Sequence, residues 1–261
     1  MRRLAALVLA LAAMSAAHAG LAPAELKEVA ATPAAGARFP LSVTFTRLDG
    51  QTTTLGGALD GTPAVIVFAD FTCSNLCGPA LTFAADGLSR TGLAPGKDFR
   101  LIVIGLDPKD TTAQARDMMA RQVGPDGAVA DATIVLRGTQ HAVAAETAAG
   151  GYRYVYDKAD DQFAHPAAAY VVASDGSIVR VLSTLGLGGT DLRLALVDAG
   201  QGRVGTLTDQ VRLHCFGFDA ARGIYTLSIT RVLTAAGAVT VLALSGAIVL
   251  MLLATRRRAA S

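Results

Sequence analysis

The hydrophobic pattern of the chain changes period several times, and each change marks an element. Leu41 to Thr46 alternates like a half-buried strand, and Asp49-Gly50 after it is a turn signal. Ala64-Val65-Ile66-Val67-Phe68 is an unbroken apolar run, the signature of a strand buried on both faces, and Phe99 to Leu106 is a second one. Between them Leu76, Ala80, Leu81, Ala84 and Leu88 recur at helical spacing, which predicts a helix over 75–88. Helical patterns follow at 111–122, with Thr111 or Asp110 as N-cap, and at 139–149, with a short strand at 133–136 between them. Ala168 to Ala173, the tight turn Asp175-Gly176, and Ser177 to Ser183 read as a hairpin, followed by a helix over 190–197.

Two strand–helix units, then a hairpin and a closing helix, is the order of a thioredoxin-like α/β domain: a mixed sheet with helices on both faces. The ends of the chain have a different character. Met1-Arg2-Arg3, an Ala/Leu/Val run and Ala17-His18-Ala19 match a charged head, apolar segment and small-x-small cleavage site, so residues 1–19 are expected to be a signal peptide. Residues 20–38 are Ala/Pro-rich and read as a linker or loosely docked arm, before a domain at 39–200 and a juxtamembrane stretch at 201–231. From 232 to 255 there is no charge, and 24 residues of helix reach about 36 Å, enough to span a bilayer. Arg256, Arg257 and Arg258 close this C-terminal transmembrane helix on the positive-inside pattern. The sequence thus predicts a single-pass protein of the bacterial inner membrane, with its domain in the periplasm and the tail 256–261 in the cytoplasm.

Composition agrees with that division. The chain has 261 residues, 52% hydrophobic and 17% charged, and its mean hydropathy of +0.43 is high for a wholly soluble protein. Five of its 23 basic residues stand at the two ends, leaving 18 against 21 acidic ones. The body is mildly acidic, which argues against a nucleic-acid-binding face.

Three cysteines are too few for a disulfide framework. Cys73 and Cys77 stand where a buried strand hands over to a helix, and positions four apart on a helix share one face within disulfide range. The pair is therefore able to open and close. At a helix N-terminus Cys73 ionises more readily than an ordinary cysteine, and two thiolates on one face select a soft ion such as Cu(I) or zinc, or a thiol partner. A structural disulfide is the alternative, but so short a loop stabilises little. His18 leaves with the signal, His141 falls in a predicted helix and His214 lies near the membrane. In a thioredoxin-like sheet the loop before the hairpin lies against the dithiol, which makes His165 the imidazole placed to complete a Cys2His set.

Taken in order, Thr72-Cys73-x-x-x-Cys77, the loop Asp107-Pro108-Lys109-Asp110-Thr111, and His165 before Tyr170 to Gly176 resemble the Sco/SenC family of copper-binding, thioredoxin-like proteins over about residues 39–200. Gly78 intervenes where the family often has Pro directly after its second cysteine, and Ala164 stands where an Asp is common. The resemblance is to a branch with a cleaved signal and a C-terminal anchor. It implies copper held by Cys73, Cys77 and His165, and a chaperone role in assembling the dinuclear copper site of cytochrome c oxidase. Partners would then be the oxidase subunit bearing that site, a copper donor, a periplasmic thiol reductant and the membrane. The rival expectation is a thiol-disulfide oxidoreductase working through Cys73 and Cys77. Its usual spacing is two intervening residues rather than three. A further candidate, His214-Cys215, consists of adjacent residues that point apart on a strand, and reads as an interfacial packing segment.

Overall fold

Residues 27–73, 77–158, 161–201, 216–219, 224–227 and 229–259 are described by the computed structural model, with Cys77 and much of the chain beyond 215 as backbone alone. The signal segment 1–19, the start of the 20–38 arm, and His214 and Cys215 lie outside these residues.

β1 (Ala30–Ala31) belongs to the arm, and β2 (Thr44–Arg47), β3 (Thr52–Thr54) and the short α1 (Leu55–Leu59) follow. The first apolar run is β4 (Ala64–Ala69), buried at every position, and α2 (Cys77–Ser89) leads from it to β5 (Arg100–Gly105). Next come α3 (Thr112–Gln122), α4 (Ala128–Asp131), β6 (Thr133–Arg137) and α5 (Gln140–Ala149). Thr111 caps α3 through a capping box with Gln114, and the Thr139 side chain accepts from Ala142 N at the start of α5. The chain then forms β7 (Tyr152–Arg153), the small hairpin β8 (Val155–Asp157) and β9 (Gln162–Ala164), and the hairpin β10 (Ala168–Val172) and β11 (Ile178–Ser183). A 3-10 turn, Thr184–Leu187, leads into α6 (Gly189–Ala199).

The main sheet has seven strands in the order β11-β10-β4-β5-β6-β2-β3. β4, β5 and β6 run parallel to one another, while β10 pairs antiparallel with β4 and β2 with β6. Successive side chains of a strand face opposite sides. Val65, Val67 and Ala69 accordingly join the core under α2, α3 and α6, and Ala64, Ile66 and Phe68 join the core under α1 and α5. Burial of each large apolar side chain in these two layers contributes roughly 1.5–3 kcal/mol against chain entropy. This is the mixed thioredoxin-like α/β sheet with both faces covered that the sequence predicts.

Three local differences bear on function. The arm is partly docked: β1 pairs with β7, and Arg38 bridges to Ser177. After β4, Asp70 accepts from the Thr72 amide and hydroxyl and Cys73 N donates to Asp70 O, so the strand ends in a turn; the expected helix start at 75 lies outside the described residues, and α2 is described from Cys77. Cys73 itself is not helical. Third, the segment 232–255 lies inside α7 (Ile229–Ala259), a 31-residue helix that follows the hairpin β12 (Phe216–Asp219) and β13 (Ile224–Leu227). Among the described residues no helix is long and apolar enough to cross a membrane, many α7 side chains lying outside that set.

Candidate metal centre

Strand order sets the site. β4 and β10 are antiparallel neighbours with Val67 opposite Ala169, so the residues leaving β4 and those entering β10 meet at one end of the sheet. The first group ends in Asp70-Phe71-Thr72-Cys73 and the second begins at His165-Pro166-Ala167. The Cys73 side chain is half-buried against the core. It lies close enough to His165 for its charge to act on the imidazole. Cys77 belongs to α2, while Cys73 lies in the turn that follows β4. The Cys77 side chain lies outside the described residues, and among the described residues no three His, Cys, Asp or Glu side chains converge as a metal cluster.

The hydrogen bonds around His165 decide its tautomer. The Tyr152 hydroxyl is 2.7 Å from Nδ1 and donates to the Pro166 carbonyl at 3.0 Å, while Nδ1 is 3.2 Å from the same carbonyl. A carbonyl only accepts, so the arrangement that serves all three contacts has the hydroxyl donating to Pro166 O and Nδ1 carrying the ring proton, shared between Tyr152 Oη and Pro166 O. Ligation consequently falls to Nε2, the pattern in which a metal-binding imidazole is oriented through its other nitrogen. Burial lowers the pKa of His165 below the ordinary histidine value, against opposing pulls from the Pro166 carbonyl and the charges of Cys73 and Asp70. The ring is thus held neutral, as a ligand must be. Tyr152 is itself buried, its ring 4.6 Å from that of Phe68.

Two buried carboxylates lie beneath the sulfur arm. Asp70 Oδ1 accepts from the Thr72 amide at 2.9 Å and hydroxyl at 2.7 Å, and Oδ2 accepts from the Phe163 amide at 3.0 Å. Asp110 Oδ2 accepts from the Phe71 amide at 2.9 Å. Burial pushes the Asp110 carboxyl up to about 6; the Phe71 bond opposes this, Asp70 and Asp107 add to it, and Arg137 counters. Asp107 serves its own turn, accepting from Lys109 N at 2.9 Å. His141 stands exposed on α5, with no part in the site.

Sequence reasoning singles out Cys73, Cys77 and His165 but not Tyr152, Asp70 or the β8–β9 hairpin. An Asp placed directly after a fully apolar strand was the available signal for Asp70, because a carboxylate there is carried into the core. The donor types suit a soft ion: two thiols, of which that of Cys73 is half-buried, and a neutral imidazole. Copper fits that chemistry better than a hard cation does.

The chain matches the family model described as SCO1/SenC over residues 32–188. No curated protein matches it. Among solved structures, a protein of Aquifex aeolicus VF5 superposes with a TM-score of 0.56 at 22% identity, over 66% of this chain and 97% of that one. BsSco, a member of the Sco family of cytochrome c oxidase assembly proteins in which a disulfide switch was identified, gives a TM-score of 0.53 at 20% identity over 66% and 98%. Copper-bound ScoI of Arabidopsis thaliana gives 0.50 at 18% identity over 64% and 99%. At these identities the likeness is one of fold.

Proposed function

Because the chain belongs to the SCO1/SenC family, we propose that it is a copper-binding protein of cytochrome c oxidase assembly that holds its cargo through Cys73, Cys77 and His165. The observation that carries the reading is His165: a half-buried, neutral imidazole, hydrogen-bonded through Nδ1 to Tyr152 and Pro166, brought from 92 residues away within reach of the charge of Cys73. Copper in its reduced state supplies a soft acceptor for two thiolates and an imidazole. The residues do the rest. Cys77 supplies one thiolate from α2, Cys73 supplies the other from the turn after β4, and Tyr152 holds the ring so that Nε2 meets both. Loading requires the dithiol to be reduced, so a disulfide between Cys73 and Cys77 would be the empty, oxidised state and copper retention its alternative. BsSco carries a disulfide switch, which supports the same alternation here.

Membrane anchoring belongs to this proposal. Leu233, Val239, Val241, Leu242, Leu244, Ile248 and Met251 all stand exposed along α7, a helix with an apolar surface that the folded domain does not cover. A bilayer is the environment that suits it, with the signal peptide exporting the domain and Arg256 to Arg258 retained on the cytoplasmic side. The oxidase subunit that receives copper, a copper donor and a periplasmic thiol reductant are the partners of such a protein.

The test is anaerobic titration of the reduced, detergent-solubilised protein with Cu(I). One copper per chain is expected, with His165→Ala weakening retention about tenfold or more, at least the scale of lost outer-shell contacts at metal sites. No uptake, together with steady turnover of a protein disulfide, would assign the pair to a thiol-disulfide oxidoreductase instead.

A further inference from the structure

We propose that Asp70 is a positioning residue, a carboxylate clamp that joins the arm bearing Cys73 to the arm bearing His165 and so determines whether the imidazole shares a metal with the sulfur. The inference rests on the copper reading above and concerns a residue that touches neither metal nor sulfur in its role.

Asp70 is 1% exposed, and its two oxygens serve two different segments. Oδ1 accepts from the amide and the hydroxyl of Thr72, the residue before Cys73, and Oδ2 accepts from the amide of Phe163, two residues before His165. The second tie matters because of what holds the histidine arm otherwise. Among the described residues β8 and β9 pair only with each other, as a two-stranded sheet with no ladder bond to the seven-stranded one. A two-stranded hairpin is marginal by itself. The Phe163 amide points away from β8 and onto Asp70, so a charge-assisted bond replaces the missing ladder between the hairpin and the central strand. A carboxylate is required for this: it offers acceptors to both sides, whereas an asparagine amide has one acceptor oxygen and presents N–H groups to the other donor. Tyr152 sets the rotation of the His165 ring, and Asp70 sets where the segment carrying it stands.

The experiment compares wild type, Asp70→Asn, His165→Ala and the double variant of the full-length protein, each loaded with Cu(II) and read by imidazole nitrogen hyperfine coupling, with copper affinity and thermal unfolding in parallel. Asp70→Asn is expected to stay folded, to keep its sulfur ligation, to lose most of the nitrogen coupling and to bind copper about tenfold more weakly, the effect of removing an outer-shell partner. In the double variant the second substitution should add almost nothing, since both remove the same ligand. Full nitrogen coupling with unchanged affinity in Asp70→Asn would overturn the proposal, and so would additive losses in the double variant. If Asp70→Asn does not fold, an amide-to-ester replacement at Phe163 deletes the single N–H with the ring retained and must give the same loss of coupling. Should His165→Ala alone change neither coupling nor affinity, the copper reading fails rather than the clamp.

Discussion

Glu146→Gln is expected to stabilise the protein by about 3 kcal/mol at pH 7 and by almost nothing at pH 4.5, at 1.36 kcal/mol per pH unit of separation. Glu146 sits on the inner face of α5 beside Ala142, Val143 and Thr147, fully buried, and among the described residues neither carboxyl oxygen has a hydrogen-bond partner. Burial alone pushes its pKa from the ordinary 4.5 to about 8. The folded state therefore keeps a proton that the unfolded chain releases. Below pH 4.5 both states hold it and nothing is lost. As the pH rises from 4.5 towards 8 the unfolded state gains, and the folded protein loses about 1.36 kcal/mol per unit until the native carboxyl ionises. Glutamine has no proton to release, so the difference between variant and wild type grows across this window and levels off above it. Glu146→Met should add roughly 1–3 kcal/mol at every pH, because it also removes an unsatisfied polar group. Denaturant unfolding of both variants between pH 4.5 and 8.5 measures this; a difference that does not change with pH would show that Glu146 is already ionised or solvated.

Gly87→Ala should destabilise on the order of 3 kcal/mol or more, the upper range of overpacking, against a helix-propensity gain of about 1 kcal/mol. Gly87 lies inside α2 where the helix meets the 3-10 turn and α6. A Cβ there would stand 1.9 Å from the Leu187 carbonyl oxygen and 2.6 Å from Leu192 Cδ1. The first of these is backbone and has no rotamer to yield, so the helix must move. For a protein of this size the melting temperature should fall by about 6–12 °C. Copper retention should weaken as well. α2 carries Cys77, and the 3-10 turn is tied to the histidine loop where the Thr184 hydroxyl donates to the Ala167 carbonyl. A rise in melting temperature, as propensity alone predicts, would contradict the packing account.

The parts of the fold legible in the sequence are those in which local pattern and tertiary burial agree. β4 and β5 are apolar on both faces because helices cover both faces, and Thr111 and Thr139 cap helices where the pattern places helix starts. Where the two disagree, the sequence misleads. Val155–Asp157 and Gln162–Ala164 are too short and mixed to show a period, and they form strands only by pairing with each other beside the Tyr154 and Phe163 rings. Glu146 belongs to a helix that the sequence shows, but nothing local marks it as a core position, and it is buried. Asp70 reads as the residue that ends a strand, but its partner at Phe163 is 93 residues away, a distance no local pattern encodes. At the candidate centre the sequence gives the donor atoms by residue type, while the choice of Nε2 over Nδ1 depends on Tyr152 and the Pro166 carbonyl.

X-ray absorption at the copper edge of the Cu(I)-loaded protein tests the ligand set most directly. Two sulfur scatterers and one imidazole nitrogen are predicted, with the nitrogen shell absent in His165→Ala. A wild-type spectrum containing sulfur alone, or oxygen ligands in place of the imidazole, would contradict the assignment of Cys73, Cys77 and His165 to one metal.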